Sequence, residues 1–166
     1  MSIKVIASLV VCITLIVGCE TKSYKEPITE FGNATIYNHS SKSSLFNWMN
    51  VSLYAVGDEK VSYRKEMWSP SGESNASREI RPGISLLTAR VKFNEQFISN
   101  GPYEAFVRLP VFLEPSKQYQ LNAQRFDRTI KVWLTNRNTG ELIELPPGFA
   151  EYSQTARGVV VIPIPQ

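Results

Sequence analysis

Few side chains in this sequence have the type and spacing that chemistry needs. His39 is the only histidine, and Ser40 and Ser41 follow it directly. A serine activated by imidazole needs a third group to orient the base, and such triads are assembled in space rather than by adjacency. His39 therefore reads as a solvated loop residue. Cys12 and Cys19 are the only thiols, and with one histidine they form no set that would hold zinc. Glu141 and Glu144 are a candidate carboxylate pair, but no apolar surroundings are in view to raise either pKa for acid catalysis, so both read as solvated strand-end charges. No Gly-rich phosphate loop precedes a helix. The expectation is a protein that is not an enzyme, with no metal and no cofactor.

The one residue with a clear chemical assignment lies near the start. Lys4 leads into a largely apolar run of 13 residues, Val5 to Val17, closed by Gly18 and Cys19. A helix of that length rises about 20 Å, short of the ~30 Å hydrocarbon core of a bilayer. A positive start, a short apolar segment and a small boundary residue are the parts of a secretory signal. Leu15 to Glu20, reading LIVGCE, resembles the lipobox of bacterial lipoprotein precursors, with Ile16 where leucine is commonest. Cys12 is the poorer match, because bulky Val11 precedes it. The resemblance implies cleavage after Gly18, acylation of Cys19 and attachment to a membrane through those acyl chains. One chain binds only marginally, whereas more than one holds stably. By the same analogy, Glu20 rather than Asp implies the outer membrane, with the protein facing the periplasm.

Removing 18 leader residues from 166 leaves 148, enough for one domain with a substantial core. Lys4 leaves with the leader, so 17 basic residues face 15 acidic ones. That balance points to neither nucleic acid nor a strongly acidic substrate. With Cys12 removed and Cys19 acylated, no disulfide is left to staple the fold. The Asn-X-Ser/Thr triplets at Asn33, Asn38, Asn50 and Asn75 are expected chance matches in a chain rich in these residues.

What must position any site is a set of strands, since period-2 alternation dominates and no 3.6-residue pattern appears. Residues 19–31 read as the lipidated cysteine and a polar tether, 32–145 as the domain, and 146–166 as a tail closed off by Pro146-Pro147-Gly148. Ala34 and Ile36 mark a first strand, and Val51, Leu53 and Ala55 a second, with His39 to Asn50 between them as a loop. Gly57-Asp58 turns the chain into Lys60 to Arg64, and Trp68 to Ser77 is loop. Arg81-Pro82-Gly83 turns into a long strand with Leu87, Ala89, Val91 and Phe93 on one face. Leu86 next to Leu87 predicts a slipped period there, through a bulge or a change of sheet. Tyr103 to Leu113, Lys117 to Arg125 and Thr129 to Thr135 alternate in the same way. Pro110 places its strand at an edge or a bend. Asn138-Thr139-Gly140 turns into a short strand, Glu141 to Leu145, and Phe149 to Arg157 is left unassigned.

About seven or eight such strands predict an all-β protein, a single antiparallel β-sandwich, following a cleaved N-terminal signal helix. Leu113-x-Pro115-x-x-x-Tyr119 resembles the tyrosine corner of fibronectin type III and related sandwiches, in which the hydroxyl bonds to upstream backbone. The mature chain also resembles small bacterial lipoproteins with Ig-like or transthyretin-like domains, a likeness that carries no active site.

Two surfaces are candidate contacts. Phe46 and Trp48 stand in an aromatic stretch suited to a protein partner or lipid headgroups. Arg90, Lys92, Arg108, Gln118, Gln120, Asn122 and Gln124 point outward and would form a polar sheet face able to bond a glycan. The leading expectation is a non-catalytic binding or assembly accessory of the envelope. The others are a carbohydrate- or peptidoglycan-interacting protein or wall-enzyme inhibitor, and a self-assembling structural lipoprotein joined through Gly158 to Ile164, a β-prone run.

Overall fold

The computed structural model describes residues 22–44, 47–63, 76–94, 102–143 and 146–154. Residues 1–18, Cys19, Phe46, most of Trp68 to Ser77, and Gly158 to Ile164 lie outside these. Among the described residues every regular element is a strand: β1 Ala34–Tyr37, β2 His39–Ser44, β3 Asn47–Val56, β4 Glu59–Lys60, β5 Ser77–Ile80, β6 Gly83–Asn94, β7 Tyr103–Leu113, β8 Gln118–Phe126, β9 Thr129–Asn136, β10 Gly148–Glu151 and β11 Ser153–Gln154. Two sheets pack as a sandwich. One has the order β10-β9-β8-β1-β5; the other has β11-β7-β6-β3-β2, with β4 also paired to β3.

The core follows from the alternation. Leu87, Ala89, Val91 and Phe93 of β6 and Ala105 to Leu113 at odd positions of β7 turn inward. They meet Tyr119 and Leu121 of β8 and Ile130, Val132 and Leu134 of β9, all buried. Removing each such aliphatic side chain from water contributes about 1.5–3 kcal/mol, which is how a sandwich without disulfides holds. Tyr119 bonds to upstream backbone as expected: the Glu114 N–H donates to its hydroxyl at 2.9 Å.

Several expectations are corrected. The sandwich is not wholly antiparallel, because β1 runs parallel to β8, with Thr35 opposite Gln118. Its first strand enters between β8 and β5 instead of pairing with a sequence neighbour. The slip expected at Leu86-Leu87 is absent: β6 and β7 stay in register from Gly83 opposite Leu113 to Phe93 opposite Tyr103. Leu87 is buried while Leu86 simply faces out. The bulge sits on the neighbouring strand β3, between Leu53 and Ala55. His39 to Asn50 is no loop but most of a hairpin, β2 with β3. Its all-polar sequence HSSKSS gave no apolar period, and polarity is what an edge strand favours. Nor does the domain end at Pro146. Strand β10 pairs with β9, and β11 crosses to β7 in the other sheet. Tyr152 turns that crossing into a cluster with Phe93 and Tyr103, at ring separations of 4.9 and 5.4 Å. Strand β7 is otherwise an edge among the described residues, which accommodates Pro110.

One buried polar residue joins the sheets. Asn38, 5% exposed, lies where the chain leaves β1 in one sheet for β2 in the other. Its Oδ1 accepts the Leu53 N–H at 2.9 Å, and its carbonyl accepts the Gln120 Nε2 at 2.7 Å. The Tyr63 hydroxyl donates to the Leu53 carbonyl at 2.8 Å. These side chains thereby serve the Leu53 backbone in the gap on β3 between β2 and β4.

Asn38→Ala leaves a buried N–H without its acceptor and is expected to cost about 1–3 kcal/mol. Urea denaturation should show a lower midpoint at unchanged m-value. Gly148→Ala probes β10. A methyl there would come within 2.5 Å of Val107 Cγ1 and 2.8 Å of the Arg108 carbonyl. The same assay should register a loss of about 1–3 kcal/mol from overpacking.

Candidate functional site

The strands run between two ends of the sandwich. At the near end lie the β5–β6 crossing at Arg81-Pro82, Gly57-Asp58 and the β7–β8 turn after Leu113. At the far end lie Trp48 opposite Asn94 and Phe93 opposite Tyr103.

The far end carries a cleft of about 270 Å³ lined by Ser41, Lys42, Asn47, Trp48, Met49, Phe93 and Asn94. Strand β3 places Trp48 on it as a half-buried side chain, across from Lys42 of β2 and Asn94 of β6. Trp48 and Met49 supply apolar surface over the buried Phe93, and the amides and the lysine ammonium supply donors at the rim. Such a cleft can hold a ligand group by stacking and hydrogen bonding. Phe46, the other aromatic singled out above, lies outside the described residues.

The polar face expected from the sequence is divided by the fold. Arg90, Lys92 and Arg108 stand on β6 and β7, whereas Gln118, Gln120, Asn122 and Gln124 stand on β8 in the opposite sheet. Both sets point away from a shared core, so they occupy opposite outer faces. Period-2 alternation says which side chains face out but not which sheet carries them. Several also have structural partners. Arg90 Nε pairs with Glu104 Oε1 at 2.5 Å, Gln120 serves the β1–β2 corner, and the Asn122 amide donates to Thr135 Oγ1 at 3.0 Å.

The residues with catalytic spacing are held otherwise. His39 is exposed on β2, and the Ser40 hydroxyl donates to Asn50 Oδ1 at 2.6 Å. Glu141 Oε2 accepts the Thr139 hydroxyl at 3.0 Å, and Glu144 lies outside the described residues. Among the described residues no three His, Cys, Asp or Glu side chains gather as a metal set, and no helix is long and apolar enough to cross a membrane.

The segment expected to be a tether is a strap instead. Lys60 N–H donates to the Lys22 carbonyl at 2.9 Å, and Tyr24 N–H to the Lys60 carbonyl at 2.8 Å. The Tyr24 hydroxyl donates to the Glu79 carbonyl at 2.8 Å, and its ring packs on the core. Farther along, the Asn33 amide holds the Pro27 carbonyl and Glu79, and the Ser116 hydroxyl reaches the Phe31 carbonyl. Polar composition suggested a free linker, but the backbone of 22–24 extends the sheet beyond β4. The signal that sequence reasoning passed over was Tyr24, an aromatic in a polar stretch.

Comparison with known protein families, with characterised proteins and with solved structures finds no match.

Burial, aided by the Glu26 and Glu59 carboxylates, pushes the Tyr24 phenol from 10.0 up to about 12. The folded state thus holds this proton more tightly than the unfolded chain. The strap's contribution is complete below pH 10 and is lost as pH rises toward about 12. An ultraviolet titration should show a late-ionising phenol that disappears in Tyr24→Phe. Tyr119, raised chiefly by its own burial, should still ionise late in that variant.

Proposed function

We propose that this protein is a lipid-anchored, non-catalytic binding or assembly accessory of the bacterial envelope, held at the outer membrane and facing the periplasm. The observation that carries the reading is the junction at the N terminus. LIVGCE ends its lipobox-like pattern at Cys19, and the folded chain is already docked at Lys22. Acyl chains on Cys19 would hold the sandwich at the lipid surface, with the Trp48 cleft at the far end directed away from it. Ile84 and Asn94 lie ten residue steps apart along β6, about 33 Å at ~3.3 Å per step. The cleft would stand roughly that far above the anchor end. Confinement to a surface raises the effective concentration of a weak binder, so modest contacts suffice. The Tyr119–Glu114 bond supports kinship with Ig-like or transthyretin-like sandwiches.

Cys19→Ser tests the anchor. Cell fractionation should move the protein from the membrane to the soluble periplasmic fraction, and unchanged membrane association would defeat the proposal.

A further inference from the structure

We infer that the near end of the sandwich rests on the bilayer itself, with Ile84, Leu86 and Phe112 seated among the lipid headgroups and upper acyl chains. This deepens the proposed function and rests on the acylation of Cys19. Ile84 is 90% exposed, Phe112 57% and Leu86 40%. They belong together: Ile84 lies directly opposite Phe112, and Leu86 opposite Pro110, on the outer face of β6 and β7. Strand β3 ends at Val56, opposite Leu87, so here the β6–β7 ribbon projects past its neighbour. Phe31, 81% exposed, adds to the same end, since its carbonyl meets Ser116 in the β7–β8 turn. A contiguous apolar patch of this kind marks a contact surface, and scattered single residues would not.

The strap identifies the occupant. Ser23 bridges Lys60 in parallel, Lys60 lies opposite Ala55, and Ala55 lies opposite Thr88. Strands β4 and β6 both run antiparallel to β3, so the strap runs parallel to β6 and Ser23 stands level with Thr88. Lys22, the N-terminal side of the strap, therefore lies toward the end that β6 reaches from Leu87 back through Leu86 to Ile84. Cys19 is three residues from Lys22, and a chain extends at most ~3.6 Å per residue. Its acyl chains must therefore enter the membrane within about 11 Å of Lys22, on the end that carries the apolar side chains. No ten-residue linker intervenes to lift the patch into water. Charges exposed at this end are mixed, Arg81 and Lys117 with Asp58 and Glu114, so the seating is apolar and independent of lipid charge.

The mature acylated chain carries no other cysteine, so Ile84→Cys, Phe112→Cys and Lys42→Cys each accept one environment-sensitive fluorophore. Each labelled chain is reconstituted into phosphatidylcholine vesicles, floated to verify anchoring, and exposed to a water-soluble quencher. Labels at 84 and 112 should be quenched several-fold less than in a non-acylated Cys19→Ser chain that begins at residue 19, free in buffer. The label at 42, beside the far cleft, should be quenched equally in both. Chains that float while the labels at 84 and 112 stay as accessible as that at 42 would overturn the inference and leave the anchor standing. Protection already present in the dilute Cys19→Ser chain would also overturn it, in favour of a second copy as occupant. So would protection seen only when anionic lipid is added. Chains that fail to float, with Cys19 unmodified by mass spectrometry, would overturn the anchoring and this inference together.

Discussion

The two sheets depend on how one backbone position, Leu53, is satisfied. Strand β3 is flanked by β2 at one end and β4 at the other, and neither reaches Leu53. A buried peptide group with no partner costs as much as a lost hydrogen bond or more. Asn38 supplies the acceptor and Tyr63 the donor. Because Asn38 sits in the step between sheets, the same side chain that completes β3 also fixes where β1 ends and β2 begins. Gln120 then ties β8 to that corner at a sequence separation of 82 residues. Arg78 braces it from outside, lying 4.6 Å from the Tyr63 ring and donating to the Ser62 carbonyl. A packed apolar core permits small slides of one sheet over the other, whereas a directional polar joint does not.

That joint sets the polarity of the molecule. With β1 fixed between β8 and β5, the loop before it must return to the near end, where Asn33 meets Glu79. The strap before the loop is drawn onto β4, and the direction in which the chain arrives is decided. The far end is closed differently, by the Phe93, Tyr103 and Tyr152 rings and by Tyr152 bonding the Asp127 carbonyl at 2.8 Å. One end thus has stacked rings beside a cleft with polar walls, and the other has aliphatic side chains standing in solvent.

Much of this was legible in the residue order, because each long strand of a sandwich has one face on the core and shows it as alternation. Leu87 to Phe93, Tyr103 to Leu113 and Ile130 to Leu134 all point as read. Continuing the alternation of β6 back from Leu87 also puts Leu86 and Ile84 outward, so the near-end patch was present in the pattern and was mistaken for a slip. Strand β2 was not legible, since HSSKSS has no apolar member and forms only because β3 offers a ladder. Strand β5, reading SREI, has one buried residue and pairs across the molecule with β1. The role of Asn38 was equally hidden, because its partners lie 15 and 82 residues away. The division of the polar residues between opposite faces follows from strand order, which alternation does not encode.

The parallel pairing of β1 with β8 has a consequence in time. A ribosome delivers Ala34 to Tyr37 long before Gln118 to Gln120, so the earliest strand has no lateral neighbour on one side until most of the chain exists. Non-local pairings of this kind close large loops before they return any contact energy, which slows folding. The hairpin of β6 and β7, local and long, can assemble first and serve as the template. On that order the N-terminal strand and its strap would be the last pieces added to a body whose centre is already set.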